Sequence, residues 1–206
     1  MSTRPKILVT NDDGVHAPGL RRLAAALRAV GTVWVVAPDR ERNAASHALT
    51  LHKPLRVETL GPRLLACSGT PTDCVNLAVN ALLDGRPSLI VSGINRGANL
   101  GPDVTYSGTV AAAMEGTLLG IPSVAISQAG PVAIHGDDGS NDDKDYAAAA
   151  AFMSRLARLV LARGLPPGVL LNVNVPPQPH PLTPPLSLKG RGSASPRPVI
   201  EVTEKV

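Results

Sequence analysis

Two adjacent carboxylates are the clearest chemical feature of the sequence. Asp12 and Asp13 follow directly after the apolar run at residues 6–10. Two like charges side by side are destabilising unless a cation neutralises them, and carboxylate oxygens are ligands that Mg²⁺, Mn²⁺ and Ca²⁺ prefer. The pair therefore predicts a divalent cation site. The alternative interpretation is that both residues only form a turn and cap the next helix.

A second polar segment follows the apolar run at residues 88–92. This Gly-rich loop carries Asn95 and Asn99. An asparagine amide offers a carbonyl oxygen to a metal or an NH₂ group to a phosphate, and glycines permit close backbone approach. The loop therefore predicts ligands for one or the other, and the alternative is a flexible loop in which asparagine serves only turn geometry.

A third segment places hydroxyl groups before an Ala-rich helical stretch. Ser107, Gly108 and Thr109 precede residues 110–119. The free N–H groups of a helix N-terminus attract anions, although Ser and Thr are also common as ordinary helix caps. A carboxylate pair for a cation and a helix N-terminus for a phosphate, on the same edge of a sheet, predict a metal-assisted phosphoryl site.

The elements that position these residues follow from hydrophobic periodicity. Short apolar runs alternate with longer segments of helical period, which is typical of an α/β fold with a Rossmann-like, mostly parallel sheet and helices on both faces. In such sheets, ligands bind beyond the carboxyl ends of the strands. We predict strands at residues 6–10, 32–37, 88–92, 123–127 and 169–175, and helices at residues 19–30, 73–83, 109–119 and 146–163.

Two further segments depart from this alternation. Residues 55–67 predict an edge β-hairpin with its turn at Gly61 and Pro62. Eight of the 20 prolines fall in the last 31 residues, which predicts a disordered segment or an extended arm there. The chain is thus divided into an α/β domain at residues 1–176 and a Pro-rich tail at residues 177–206. Residues 69–73 are predicted to cap the helix that follows them, and the acidic loop at residues 136–145 is predicted to be solvated surface.

Composition excludes several classes of function. Hydrophobic residues make up 44% of the 206 residues and charged residues 17%, as in a globular protein. Only four side chains are aromatic, so the stacking platforms of single-strand nucleic-acid binders are missing and we expect no nucleic-acid polymer as partner. We expect no membrane association and a cytoplasmic location, because no long apolar run or signal-peptide pattern occurs. Cys67 and Cys74 have no metal-ligand spacing and are predicted to be buried free thiols.

Five segments together carry a specific resemblance. In the order in which they occur, they are similar to motifs of the SurE family of 5'/3'-nucleotidases. The segments are ILVTNDDG at residues 7–14, APDR at 37–40, GTPTDC at 69–74, SGIN at 92–95 and YSGTVAAAMEG at 106–116. The resemblance covers residues 5 to about 176.

The resemblance implies a phosphomonoesterase that uses one divalent metal ion, Mg²⁺ or Mn²⁺. The implied substrates are nucleoside 5'- or 3'-monophosphates, with polyphosphate as a further substrate of some members, and the implied assembly is a homo-oligomer, a dimer or tetramer. The implied residues fall into two sets. The metal ligands would be Asp12, Asp13, Asn43 and Asn95, with Asp12 and Asp13 also catalytic, and the phosphate contacts would be Asn99, Ser107, Gly108 and Thr109.

Two departures from the family pattern bear on these expectations. The family has Ser-Gly where this chain has Asn43 and Ala44. An asparagine still offers a hard oxygen, but its side chain is longer than that of serine, and Ala44 restricts the backbone angles. The tail at residues 177–206 does not align with the C-terminal segments of the family, which weakens the expectation of a homo-oligomer.

Three alternatives remain. A haloacid-dehalogenase-type phosphatase would need an aspartate nucleophile at Asn11, which cannot form an aspartyl phosphate. A protein of the same fold that binds metal and nucleotide without turnover is favoured by Asn43 and Ala44. A metal-free structural α/β domain is the third.

Overall fold

A computed structural model describes residues 4–42, 46–129, 146–176 and 199–203. Asn43 and Ala44 lie outside the described residues, as do the acidic loop at 136–145 and most of the Pro-rich tail. None of the helices in the described ranges is long and apolar enough to cross a membrane.

The described strands form one eight-stranded sheet in the order β3-β4-β2-β1-β5-β6-β7-β8. All neighbours are parallel except the two outermost pairs, β3 with β4 and β7 with β8. The predicted mostly parallel sheet is confirmed. The strands are β1 Lys6–Thr10, β2 Thr32–Pro38, β3 Val57–Gly61, β4 Leu64–Cys67, β5 Leu89–Arg96, β6 Ser123–Gln128, β7 Leu170–Val175 and β8 Val199–Thr203.

Helices cover both faces of this sheet, as predicted. They are α1 Pro18–Leu27, α2 Pro71–Leu77 with a π-helical continuation Ala78–Leu82, α3 Asp103–Tyr106, α4 Gly108–Leu118 and α5 Ala147–Arg163. Alternate strand residues point to opposite faces, so Ile7 and Val9 pack with α1 and α5 while Leu8 packs with α2 and α4. The inner strands are apolar throughout because both of their faces are buried.

The predicted edge hairpin is confirmed, with its turn moved by one residue. Gly61 pairs with Leu64, which leaves Pro62 and Arg63 as the turn. Arg63 takes a left-handed backbone conformation, with φ of 63°. The predicted cap of α2 is also confirmed, because Thr70 and Asp73 form a reciprocal capping box. Cys67 and Cys74 are free and buried, as predicted.

Three features differ from the prediction made from local pattern. Strand β5 does not end at Ser92 but continues to Arg96, because it follows β6 as far as Gln128. The four-residue helix α3 interrupts the loop before α4. Within the Pro-rich tail, β8 pairs antiparallel with β7. The first and the third depend on pairing with distant strands, which local periodicity does not report.

Candidate functional site

The loop after β1 is fixed in a sharp turn that directs two aspartates to the carboxyl edge of the sheet. Asn11 Nδ2 donates to the Gly14 carbonyl at 3.0 Å, and the Val15 N–H donates to the Pro38 carbonyl at 2.8 Å. Gly14 has φ of 99°, and a Cβ there would lie 3.0 Å from the Arg40 carbonyl carbon. Only glycine satisfies both conditions without strain.

Asp12 is held at the N-terminus of α4. Its side chain is 6% exposed, and Thr109 engages both carboxylate oxygens. The Thr109 hydroxyl donates to Oδ1, and the Thr109 N–H donates to Oδ2 at 3.1 Å. Gly108 makes room for this contact, since a Cβ there would lie 2.8 Å from the Asp12 Cβ. The N-terminus of α4 therefore already binds an anion, which is the carboxylate of Asp12.

This arrangement bears on the residues predicted to bind phosphate. The hydroxyl and the N–H of Thr109 are both directed to Asp12. Ser107 is the N-cap of α4, and its Oγ accepts from the Val110 N–H at 3.1 Å. Ser107 also lines the cavity beside Asp12, and its hydroxyl, which accepts from Val110, still has a proton to donate. Gly108 and Thr109 lie directly against Asp12 and are not among the residues that line the cavity.

Asp13 has different surroundings from Asp12. It is half-buried and lines the open cavity. Burial first, and then the charges of Asp12 and Glu41, raise the pKa of the Asp13 carboxyl to about 7, against the opposing effect of Arg96. Burial also raises the pKa of Asp12, although the hydrogen bonds from Thr109 oppose that rise. Burial is the largest cause of both shifts, because it disfavours the charged form of a carboxyl group.

The two predicted asparagines lie in the same cavity but are fixed in different ways. Asn95 Nδ2 donates to the Gly97 carbonyl at 2.9 Å, which leaves its Oδ1 as an acceptor. Asn99 is buried and donates through Nδ2 to Ser127 Oγ at 2.8 Å. Its backbone is held by Asn174, whose Oδ1 accepts from the Asn99 N–H at 2.8 Å, and by Asn172, whose Nδ2 donates to the Asn99 carbonyl at 2.9 Å.

These side chains share a cavity of about 340 Å³ at the carboxyl edge of the sheet. Five of the predicted residues line it: Asp12, Asp13, Asn95, Asn99 and Ser107. Other lining residues were not predicted, among them Glu41, Asp103, Arg96 and Tyr106. Arg96 is a cation beside Asp13. Its position directly after Asn95 is the signal in the sequence by which it could have been predicted as part of the site. The asparagines of β7, two polar residues in an otherwise apolar strand, were the signal for the network that holds Asn99.

A buried acid anchors the segment that follows residues 43–45. Glu115 of α4 is 6% exposed, and its Oε1 accepts from Asn76 Nδ2 at 2.9 Å. Its Oε2 lies 2.8 Å from His47 Nε2. The Ser46 N–H donates to the Tyr106 carbonyl at 3.3 Å, and the Arg42 N–H donates to the Asp12 carbonyl at 2.7 Å. The chain is thus fastened to the site on both sides of Asn43.

The donor set fits a hard divalent cation. Mg²⁺ and Mn²⁺ accept carboxylate and amide oxygens as ligands. Asp12 and Asp13 offer carboxylates, and Asn95 offers an amide oxygen. Within the described ranges no cluster of three or more His, Cys, Asp or Glu side chains is placed to hold a metal, so Asn95 is needed to complete the set. Asn43, the fourth predicted ligand, lies outside those ranges.

Comparison with known proteins gives consistent results. The family described as "Survival protein SurE" matches residues 7–190. The protein named 5'-nucleotidase SurE from Geobacter metallireducens is 60% identical over 174 residues, which cover 84% of this chain and 66% of that protein. Its namesake from Geobacter sulfurreducens is 62% identical over 173 residues, covering 84% and 63%. The crystal structure of the SurE protein from Aquifex aeolicus is similar with a TM-score of 0.75 and 41% identity, over 84% of this chain and 66% of that one.

The chain therefore spans slightly less than two thirds of the length of these two Geobacter relatives. The matched part includes the strand-end loops and the start of α4 that build the cavity. The family motifs, the sheet and the site thus agree, and the chain belongs to the survival protein SurE family.

Proposed function

We propose that this chain is a divalent-metal-dependent phosphomonoesterase that hydrolyses nucleoside monophosphates to nucleoside and phosphate. The observation that carries the proposal is the pair Asp12 and Asp13, two adjacent carboxylates with raised pKa values that line a cavity beside the N-terminus of a helix. The relatives named 5'-nucleotidase SurE support the substrate class.

The residues that would hold the cation are Asp12, Asp13 and Asn95, joined by Asn43 on the family resemblance. When bound, a divalent cation withdraws charge from a phosphate oxygen and favours ionisation of water. Mg²⁺ and Mn²⁺ are the proposed ions because all of these ligands are oxygens.

The two aspartates have different roles in this proposal. Both oxygens of Asp12 are engaged by Thr109, so Asp12 is a fixed negative charge whose position Thr109 and Gly108 determine. Asp13 faces the cavity, and its carboxylate orients the attacking water and accepts its proton. Thr109 is thus a positioning residue and is not a direct phosphate contact in this proposal.

The phosphate is bound by the other side of the cavity. Ser107 and Asn99 line this space, and Arg96, which also lines it, supplies positive charge. Asn99 is held on three sides by β6 and β7, so its amide is preorganised to stabilise charge that develops on the equatorial phosphate oxygens.

The finer assignments rest on the family resemblance. We propose that both 5'- and 3'-monophosphates are substrates, that polyphosphate is a secondary substrate, and that the chain acts as a cytoplasmic homo-oligomer. The two free thiols fit a reducing compartment.

The decisive experiment is phosphate release from a panel of nucleoside 5'- and 3'-monophosphates and from polyphosphate. Each substrate is tested with Mn²⁺, with Mg²⁺ and with chelator, and with Asp12→Asn as the control for contaminating phosphatase. We expect release that requires metal and is lost in chelator.

A folded chain that releases no phosphate with any metal would contradict the proposal. A nucleotide-dependent rise in Tm in that case would instead support a protein that binds metal and nucleotide without turnover, because a ligand that binds only the folded state stabilises it.

A further inference from the structure

A second cavity, of about 580 Å³, lies between α1 and the strands β2 and β4. None of its lining residues belongs to the cavity that holds Asp12 and Asp13. It lies on the face of β2 and β4 that packs with α1, whereas α2 packs against the opposite face of these strands. Its volume is within the range of small-molecule sites.

The floor of this cavity is aliphatic. Leu20 of α1 and Val33 and Val35 of β2 are at most 9% exposed, and Leu64 of β4 is half-buried beside them. The lining residues include no Phe, Tyr or Trp, and the floor itself is formed by aliphatic side chains. It suits an alkyl or prenyl chain, whose burial is favourable in proportion to the apolar area removed from water.

The rim of the cavity is cationic. Arg4, Arg21, Arg28 and Arg63 line it together with His16, and no aspartate or glutamate does. In the part of the chain that the structure describes, none of these four arginines lies within 4.0 Å of a carboxylate oxygen. Arg4 donates instead to the Arg28 carbonyl at 2.7 Å, which ties the N-terminal segment to the end of α1. Guanidinium groups bind phosphate and carboxylate through paired hydrogen bonds.

We propose that this cavity binds a single-chain aliphatic anion, with the chain on the aliphatic floor and a phosphate or carboxylate head at the arginine rim. The combination carries the inference. An apolar floor alone would accept any hydrophobic molecule, and a basic rim alone would accept any anion, but together they select a molecule with both parts. This site is distinct from the proposed phosphoesterase site and does not depend on its activity.

The test is calorimetric titration of the full chain with dodecylphosphonate below its micellar concentration, without added metal. The carbon–phosphorus bond prevents turnover at the catalytic cavity. We expect saturable binding with one molecule per chain. Ethylphosphonate, which has the head alone, and dodecyl maltoside, which has an uncharged head, should each bind at least tenfold more weakly.

Substitutions locate the binding. The double variant Arg21→Ala with Arg63→Asn should raise the Kd at least tenfold. Both changes preserve the fold, because alanine favours helix and asparagine tolerates the left-handed conformation at position 63. Arg22→Ala is the matched control, since Arg22 is an exposed arginine of the same helix that does not line the cavity. It should leave the Kd unchanged.

Three results would overturn the proposal. Equal binding of ethylphosphonate would show a simple anion site. An equal effect of Arg22→Ala would show general charge attraction. Loss of binding in Asp12→Asn would place the phosphonate in the catalytic cavity.

Discussion

Asp12 and Asp13 are neighbours in the chain, but the structure places them in two different regions of the site. Asp12 lies against the start of α4, where Thr109 satisfies both of its oxygens and Gly108 leaves just enough room for it. Asp13 lies on the open side between Glu41 and Arg96, where burial and like charge raise its pKa to about 7. Thr109 fixes the first carboxylate through both of its oxygens, and the second is the more exposed of the two.

The difference shows how one short loop places two carboxylates in different surroundings. A carboxylate that must stay in place needs hydrogen-bond donors, and a helix N-terminus supplies them at no further cost in conformational entropy. A carboxylate that must accept a proton from water needs an open side. Four substitutions test this difference between the two aspartates.

Asp12→Asn should have the largest effect. An asparagine can keep its Oδ1 on the Thr109 N–H and donate its NH₂ to the Thr109 hydroxyl, which then accepts, so the main loss is one negative charge. We expect turnover to fall by on the order of 10² or more, the scale of one preorganised electrostatic contact. Steady-state phosphate release measures this, and near wild-type turnover would contradict the assignment of Asp12.

Gly108→Ala should have the next largest effect. The added Cβ would lie 2.8 Å from the Asp12 Cβ and 3.0 Å from its Oδ2, so Asp12 must move. We expect turnover to fall by roughly 10- to 100-fold, with a loss of about 1–3 kcal/mol in the free energy of unfolding. Gly61→Ala is the control, because nothing lies within 4 Å of a Cβ there. Equal activity in both variants would show that the fit of Gly108 to Asp12 does not matter.

Thr109→Val should have a smaller effect. It retains the shape and the backbone N–H of Thr109 but removes the hydroxyl that donates to Asp12. We expect about a tenfold fall in kcat with little change in KM, because Asp12 is misplaced while the phosphate contacts remain. Thr117→Val, on the same helix, removes a hydroxyl that bonds only to the Ala113 carbonyl and should leave kcat unchanged. A rise in KM alone for Thr109→Val would instead indicate that Thr109 binds the phosphate directly.

Asp13→Asn should change the pH dependence of stability in the metal-free chain. The Asp13 carboxyl has a pKa of about 7 in the folded chain against an ordinary value of 3.8. Its contribution to stability is therefore fully present below about pH 4 and is lost as the pH rises through 7. The variant keeps a neutral group, so it should match the wild type near pH 4 and exceed it by roughly 1–3 kcal/mol at pH 8.

Urea unfolding between pH 4 and pH 8 in chelator measures this difference. Asp103→Asn, an exposed aspartate of the same cavity, is the control and should show a smaller change. Added Mn²⁺ should stabilise the wild type more than Asp13→Asn, since the ion neutralises the pair. A pH-independent difference would contradict the contrast between the two aspartates.

Local sequence determined most of the architecture. Continuous apolar runs specified the inner strands because both faces of a parallel strand must be buried. The alternation of strand and helix then placed Asp12, Asp13 and Asn95 at one edge, since the carboxyl ends of parallel strands meet there. Short-range features such as the capping box of Thr70 and Asp73 could also be predicted, because the partners are only three residues apart.

The tertiary structure alone decided which groups touch. That Thr109 engages Asp12, 97 residues away, follows from the adjacency of β1 and β5 and the path of the chain into α4, and no local pattern reports it. The same is true of the hydrogen bonds from β7 that hold Asn99 and of the pairing of β8 with β7 at the edge of the sheet. It is also true of the open cavity beside α1. The sequence encodes the periodicity of each element through local sterics and burial, whereas contacts between elements depend on how the whole sheet twists and packs.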